Sequence, residues 1–294
     1  MVCRYRKGRG FFVKEKILII GADGFIGKYV TRQLESDYVI EKFNQDALTV
    51  DWEQYIKNSK PEYLINLAWR TGQGYLDSHE NVQFVRSGLE LYDAFYKYGG
   101  KRAVFIGTEQ EYKYSAEPQK ESSCIMPLSL YAKCKSALGD ILVKNSEIEN
   151  HGFVWCRLFF VYGYGEKWQR LMPSLINSML DNKDAECSYE GYVRDYIYVK
   201  DVASAICKCL FSDYTGFVNI AGGEKTTIGD IGNTIKKLTG SKAQITYKKE
   251  SECRQNMCSC GDISVLKSLG WKKQYSLEQG LIEEIEMIKN SRQE

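Results

Sequence analysis

The sequence predicts an α/β fold, a doubly wound parallel sheet with a smaller lobe drawn mostly from the C-terminal part. Three observations predict it. Short apolar runs recur at 17–20, 63–68, 103–107, 153–161 and 217–221, as expected of strands buried on both faces of a parallel sheet. Helical patterns alternate with them, which implies right-handed crossovers. The rhythm breaks over 163–194 and 226–271. Insertions of that kind are expected over the carboxyl edge of such a sheet, where ligands bind in a cleft.

Taken in order, residues 17–20 (ILII) form the first predicted strand, and Gly21, Gly24 and Gly27 follow at once. A helical pattern with Tyr29, Val30 and Leu34 on one side runs to about Glu35. Strand, glycine turn and helix together make a phosphate cradle. Gly21 permits the tight turn, Gly24 admits a pyrophosphate, and Gly27 lets helix and strand lie close. The helix N-terminus supplies free N–H groups and a positive dipole end. The second strand is predicted at 38–43, and Lys60-Pro61-Glu62 breaks the chain before the third at 63–68. A helix over 79–98 ends at Gly99-Gly100. A fourth strand, 103–107, leads to an irregular stretch at 115–128 and a helix at 131–148. Residues 153–161 read as one further strand and 217–221 as another. The resulting organisation is a basic tail at 1–15, a dinucleotide-binding part at 16–162 with 195–222 returning to it, and a substrate lobe from 163–194 and 223–294.

Bulk properties narrow the partners. The net charge of +2 over 294 residues gives no reason to expect nucleic acid or an anionic membrane. No run approaches the ~20 apolar residues that span a bilayer, and the N-terminus does not read as a signal peptide. Most of the ten cysteines, such as Cys156, Cys207 and Cys209, sit in apolar runs, which suits reduced thiols in a cytoplasmic protein. Cys253, Cys258 and Cys260 cluster, but the only histidines are His79 and His151, so no metal site is expected.

The chemistry is concentrated at Tyr131 and Lys135. Four apart at the start of a helix, they project from one face about 6 Å apart. A free phenol has a pKa near ~10, and a neighbouring ammonium is expected to lower it toward general acid/base use. Tyr-x-x-x-Lys also occurs at Tyr38/Lys42 and Tyr196/Lys200. Only the middle copy follows a strand that ends in a hydroxyl, Thr108. Thr108 could donate a hydrogen bond to a substrate oxygen, or it could simply satisfy backbone at the strand end.

With these residues in order, the chain resembles the extended short-chain dehydrogenase/reductases that act on nucleotide-linked sugars. The resemblance runs from Ile17 to about Glu284 through GADGFIG, NLA, GTEQEY, YAKCK, RLFFVYG, RDYIYVKDVA, NIAGGE and LGW. It implies a Rossmann domain and a catalytic set of Thr108, Tyr131 and Lys135. The implied cofactor contacts are Gly21, Gly24, Phe25, Ile26, Gly27, Leu67, Ala68, Tyr131, Lys135 and Phe160. The implied substrate contacts are Thr108, Glu109 and Arg194, although Arg194 could instead pair with Asp195 or Asp201. A homodimer is implied too, formed by the helix after Asn81 and the helix of Tyr131, which carry Phe84, Leu91, Phe95, Leu138, Ile141 and Leu142.

Within that family, dehydratases carry Asp-Glu after the catalytic Thr, and here the pair is Glu109-Gln110. A glutamine cannot accept a proton, which argues against elimination of water. The predicted second strand ends at Phe43-Asn44 without a clear acid, and Glu41 could serve only if it ended earlier. NADP(H) is therefore favoured and NAD(H) possible, with Lys42 the nearby cation. The expected activity is reduction of the 4-keto group of an NDP-4-keto-6-deoxyhexose. The alternatives are an NAD-retaining 4-epimerase and a non-catalytic NAD(P)-binding regulator.

Overall fold

The structure is a computed structural model and describes residues 14–252 and 258–293. Most of the basic N-terminal tail, and Cys253, lie outside the described residues. In order, the chain forms β1 (Lys16–Ile20), α1 (Phe25–Leu34), β2 (Val39–Phe43), α2 (Trp52–Ser59), β3 (Tyr63–Asn66), α3 (Glu80–Lys97), β4 (Arg102–Thr108), α4 (Leu130–Glu149) and β5 (Gly152–Leu158). Then come β6 (Phe160–Tyr162), α5 (Leu171–Leu180), β7 (Ala185–Cys187), β8 (Val193–Arg194), β9 (Tyr196–Tyr198), α6 (Val199–Leu210) and β10 (Gly216–Ile220). The remainder is β11 (Thr226–Thr227), α7 (Ile228–Thr239), β12 (Ile245–Tyr247), β13 (Cys258–Ser259), α8 (Ser264–Ser268) and α9 (Leu277–Ser291).

Six strands make one parallel sheet in the order β10-β5-β4-β3-β1-β2. The chain moves outward from β1 to β2, then crosses to β3 on the other side. The strand order thus reverses at β1, and the glycine turn emerges at that switch point. Alternation along β1 sends Ile17 and Ile19 into one core layer and Leu18 and Ile20 into the other. The first layer lies against α1 and α6 and is filled by residues such as Val30 and Ile206. The second lies against α2, α3 and α4 and holds Leu91, Phe95 and Leu138. Each such side chain contributes about 1.5–3 kcal/mol by leaving water.

One expectation is corrected, one helix is added, and the residues expected at a dimer seam are placed. Residues 153–161 are not one strand. The chain pairs with β10 up to Leu158, Phe159 donates its N–H to Ile220 O, and Phe160 then pairs with Tyr196 of β9. The chain therefore leaves the central sheet at Phe159 and enters a separate two-stranded ribbon. Helix α2 was not anticipated, because it buries only Trp52 and Ile56. Its signals are local: the Asp51 carboxylate accepts the Gln54 N–H, and Lys60 closes it in the left-handed region before Pro61. Finally, Phe84, Leu91, Phe95, Leu138 and Leu142 are buried in the chain's own core, as helices packed on a sheet require. Of the residues expected to pair two copies, only Ile141 is exposed, along with Val82 and Ile148 nearby in sequence.

The segments after β6 build small sheets at the carboxyl edge. β8 lies between β11 and β13, and β7 pairs with β12. Among the described residues no helix is long and apolar enough to cross a membrane.

Candidate active site

The glycine turn is shaped by close approach. Gly21 has φ +81°, and a Cβ there would sit 3.3 Å from the backbone of both Leu67 and Ala68 at the end of β3. A Cβ at Gly27 would fall 2.1 Å from Gly21 O, so only glycine lets α1 start this close to β1. Gly24 caps α1 with no side-chain hydrogen bond, leaving the first helical N–H groups directed out of the turn. Phe25 and Ile26 begin the helix, with Phe25 edge-on to Tyr29.

Beside the turn lies a cavity of about 440 Å³, lined by Gly21, Gly24, Asn44, Asp46, Ala68 and Arg70 among others. Its shape and its glycine floor fit the adenosine half of a dinucleotide. Glu41 cannot serve there. It stands mid-strand, accepts hydrogen bonds from Tyr55 and Ser59, and pairs with Lys16. Lys42 pairs with Asp23 across 3.7 Å. Arg70, not anticipated, reaches the cavity from beyond β3 and is bound by Asp46 and Glu80.

Thr108, Tyr131 and Lys135 come together one strand further along. Thr108 ends β4, and its hydroxyl does two things. It accepts the Gln110 N–H and lies beside the Tyr131 phenol, whose ionisation it favours. The contact to the Gln110 N–H is the backbone-satisfying role expected of a strand-end hydroxyl. Ser129 caps α4 by accepting the Ala132 N–H, which fixes the first turn and aims Tyr131 at the strand end. One turn on, buried Lys135 donates to Ile106 O at 2.5 Å. Of the other two Tyr-x-x-x-Lys copies, Tyr38 stacks on Phe211 while Lys42 turns to Asp23, and Lys200 pairs with Glu283. Neither forms such a group.

The electrostatics differ from the sequence expectation. Burial pushes the Tyr131 phenol above its ordinary value, with Tyr75 also raising it and the nearby Thr108 hydroxyl opposing. Burial pushes Lys135 itself down to about 7, against an upward pull from Glu111. The low-dielectric pocket outweighs the neighbouring ammonium because desolvation penalises both charged forms.

Glu109 is fully enclosed, accepts from Ser259 Oγ at 3.1 Å, and is raised by burial to about 7. Arg194 pulls it the other way. The Arg194 guanidinium lies over the rings of Tyr192 (4.7 Å) and Phe160 (5.4 Å). The carboxylates once weighed as its partners serve backbone. Asp195 binds the N–H groups of Gly222, Gly223 and Gly261, and Asp201 those of Gln274 and Tyr275. Beneath the site, Glu111 accepts from Thr108 N, Trp155 Nε1 and Arg157 Nε, the last at 2.7 Å. This buried ion pair holds the turn that carries Thr108 and Glu109. Sequence reasoning missed Ser259 and Trp69, which arrive through tertiary contact, and Glu111, whose Thr-x-x-Glu spacing from Thr108 is a local capping-box signal.

A parallel sheet with a glycine turn at its switch point, and a Thr/Tyr/Lys group at the end of β4, two strands away, defines a dinucleotide-dependent enzyme fold. The model of the NAD dependent epimerase/dehydratase family matches residues 17–221, and the chain belongs to that family. A putative GDP-L-fucose synthase 2 from Arabidopsis thaliana is 26% identical over 92% of each chain. The CDP-abequose synthase of Salmonella typhimurium is 24% identical over 92% of this chain and 98% of its own. Among solved structures, the UDP-glucose 4-epimerase of Thermotoga maritima with UDP-glucose superposes at a TM-score of 0.86, with 24% identity over 94% of this chain and 99% of that one. The Thermus thermophilus UDP-glucose 4-epimerase in complex with NAD gives 0.82 at 20% identity, covering the same shares.

Proposed function

We propose that the chain reduces the 4-keto group of an NDP-4-keto-6-deoxyhexose with a nicotinamide dinucleotide. The observation that carries this reading is the placing of Tyr131 beside Thr108 at the end of β4, with Lys135 one helical turn away and bound to Ile106 O. The dinucleotide supplies the hydride that adds to C4. Tyr131 gives its proton to the oxygen that becomes the hydroxyl, and Thr108 holds that oxygen in line with the phenol. Lys135 binds the nicotinamide ribose. A phenol whose pKa is raised stays protonated at neutral pH, which suits it to donate in the reductive direction. Gly21, Gly24, Phe25, Ile26 and Gly27 would hold the pyrophosphate; Leu67, Ala68 and Phe160 would flank the rest. Arg194, from the lobe of 163–194 and 223–294, would face the sugar diphosphate, and Glu109, next to Thr108, would face the sugar.

NADP(H) is favoured over NAD(H). β2 ends without a free carboxylate, since Glu41 is taken up within the strand and Asp46 is bound to Arg70. Arg70 lines the cavity and is the cation there that would meet a 2′-phosphate. A cytoplasmic homodimer fits the reading, with Ile141 and Ile148, seven apart on α4, as its exposed apolar positions.

The assay is NADPH or NADH oxidation against a panel of 4-keto-6-deoxy nucleotide sugars. Turnover is expected with at least one, and none with any would overturn the proposal. Tyr131→Phe should abolish turnover while dinucleotide binding persists. The rival reading, an NAD-retaining 4-epimerase, draws on a putative UDP-glucose 4-epimerase of Methanocaldococcus jannaschii, 25% identical over 94% of this chain. Protein that purifies with NAD and interconverts nucleotide sugars without added cofactor would favour it.

A further inference from the structure

We infer that Trp69 is a positioning residue for this reaction, its indole face seating the Lys135 ammonium and its edge fixing the Tyr131 ring. The inference rests on the proposed role of Lys135 and adds to it a residue that follows the NLA motif directly.

The geometry is specific. Lys135 Nζ lies 3.9 Å from the centroid of the Trp69 ring, close contact for a cation over an aromatic face. Tyr131 meets the same indole edge-on at 6.1 Å, interplanar angle 78°, and meets Tyr75 edge-on at 5.0 Å. Trp69 is itself held. It stacks on Phe84 at 4.9 Å, and its Nε1 donates to Asn81 Oδ1 at 2.8 Å. The Asn81 amide in turn donates to the carbonyls of Tyr75 and Ser78. One buried asparagine therefore pins both aromatic rings that touch the phenol.

The ammonium needs such a seat. Its surroundings supply one carbonyl, Ile106 O, and two aromatic faces, Trp69 and the more distant Trp155 at 5.9 Å. The charged group facing it is Glu111, which Arg157 already holds, and Tyr131 is the titratable neighbour on its own helix. In so dry a pocket the quadrupole of the indole face favours the charged amine, and loss of that face should let the amine lose its proton at lower pH.

The test compares Trp69→Leu, Trp69→Phe and Lys135→Met with the unaltered protein. Dinucleotide affinity is measured by calorimetry from pH 5.5 to 9, alongside the pH profile of kcat/KM. The alkaline limb that reports the ammonium should move to lower pH by about 0.5 to 1.5 pH units in Trp69→Leu. Trp69→Phe, which keeps a weaker face, should fall between. A purely structural role would lower the plateau and leave the limb in place. Limbs in both Trp69 variants that coincide with the unaltered protein overturn the inference. If Trp69→Leu does not fold, the Trp69→Phe limb decides alone. Lys135→Met should bind weakly and without that limb. Binding and turnover unchanged in Lys135→Met would instead sink the role of the lysine.

Discussion

Replacing Glu284 by glutamine should remove a pH-dependent loss of stability. Glu284 lies on α9 with no exposed surface, and neither carboxylate oxygen has a hydrogen-bond partner. Burial, with Glu166 adding to it, raises this carboxyl from 4.5 to about 8. Its folded pKa is the higher one, so the folded state binds more protons than the unfolded chain between those values, and stability falls as pH rises through that window. Between pH 5.5 and 8 the unfolded chain gains nearly all its ionisation free energy while the folded state gains little. At 1.36 kcal/mol per unit the loss is about 3 kcal/mol. A buried glutamine amide has its own cost, but that cost is the same at both pH values and cancels in the comparison. Urea unfolding of both proteins at pH 5.5 and 8 reads the difference. With m near ~3 kcal/mol/M for a chain of this size, the midpoint of Glu284→Gln relative to the parent should rise by about 1 M between the two conditions. A relative midpoint that stays constant would mean that Glu284 is ionised in the fold, and the argument from burial would be refuted.

Two further outcomes follow from the site. Arg157→Met should cost about 3–5 kcal/mol, because it leaves the Glu111 carboxylate buried without its cation; a midpoint shift under 1 kcal/mol would show that water replaces the guanidinium. Glu109→Gln should erase an ionisation near 7 from the pH profile of kcat/KM; a limb unchanged in that variant would assign it to another group.

The strands and the cradle were legible because their signals are local. Buried parallel strands must be apolar throughout, Gly24 and Gly27 answer to backbone distances within one turn, and Gly21 answers to a positive φ. Thr108, Tyr131 and Lys135 were legible from order and spacing alone. What escaped is what the fold assembles from afar. Ser259 reaches Glu109 across 150 residues of sequence, and Asn81 fixes Trp69 through a turn with no periodicity to betray it. The direction of the Tyr131 shift was misread for the same reason. Spacing shows that an ammonium is near, but it does not show how dry the pocket is. Phe159, where one apolar run serves two sheets, likewise reads as continuous until the hydrogen bonds are traced.

Ser259 and Arg194 stand side by side in the small sheet of β8 and β13, and both act on Glu109. Thr108, Tyr131 and Lys135 belong to the large sheet and its helix. On the proposed reading, recognition and proton delivery ride on separate pieces of backbone. A lineage, or an engineer, could exchange the former as a cassette to accept a different sugar and inherit the latter intact.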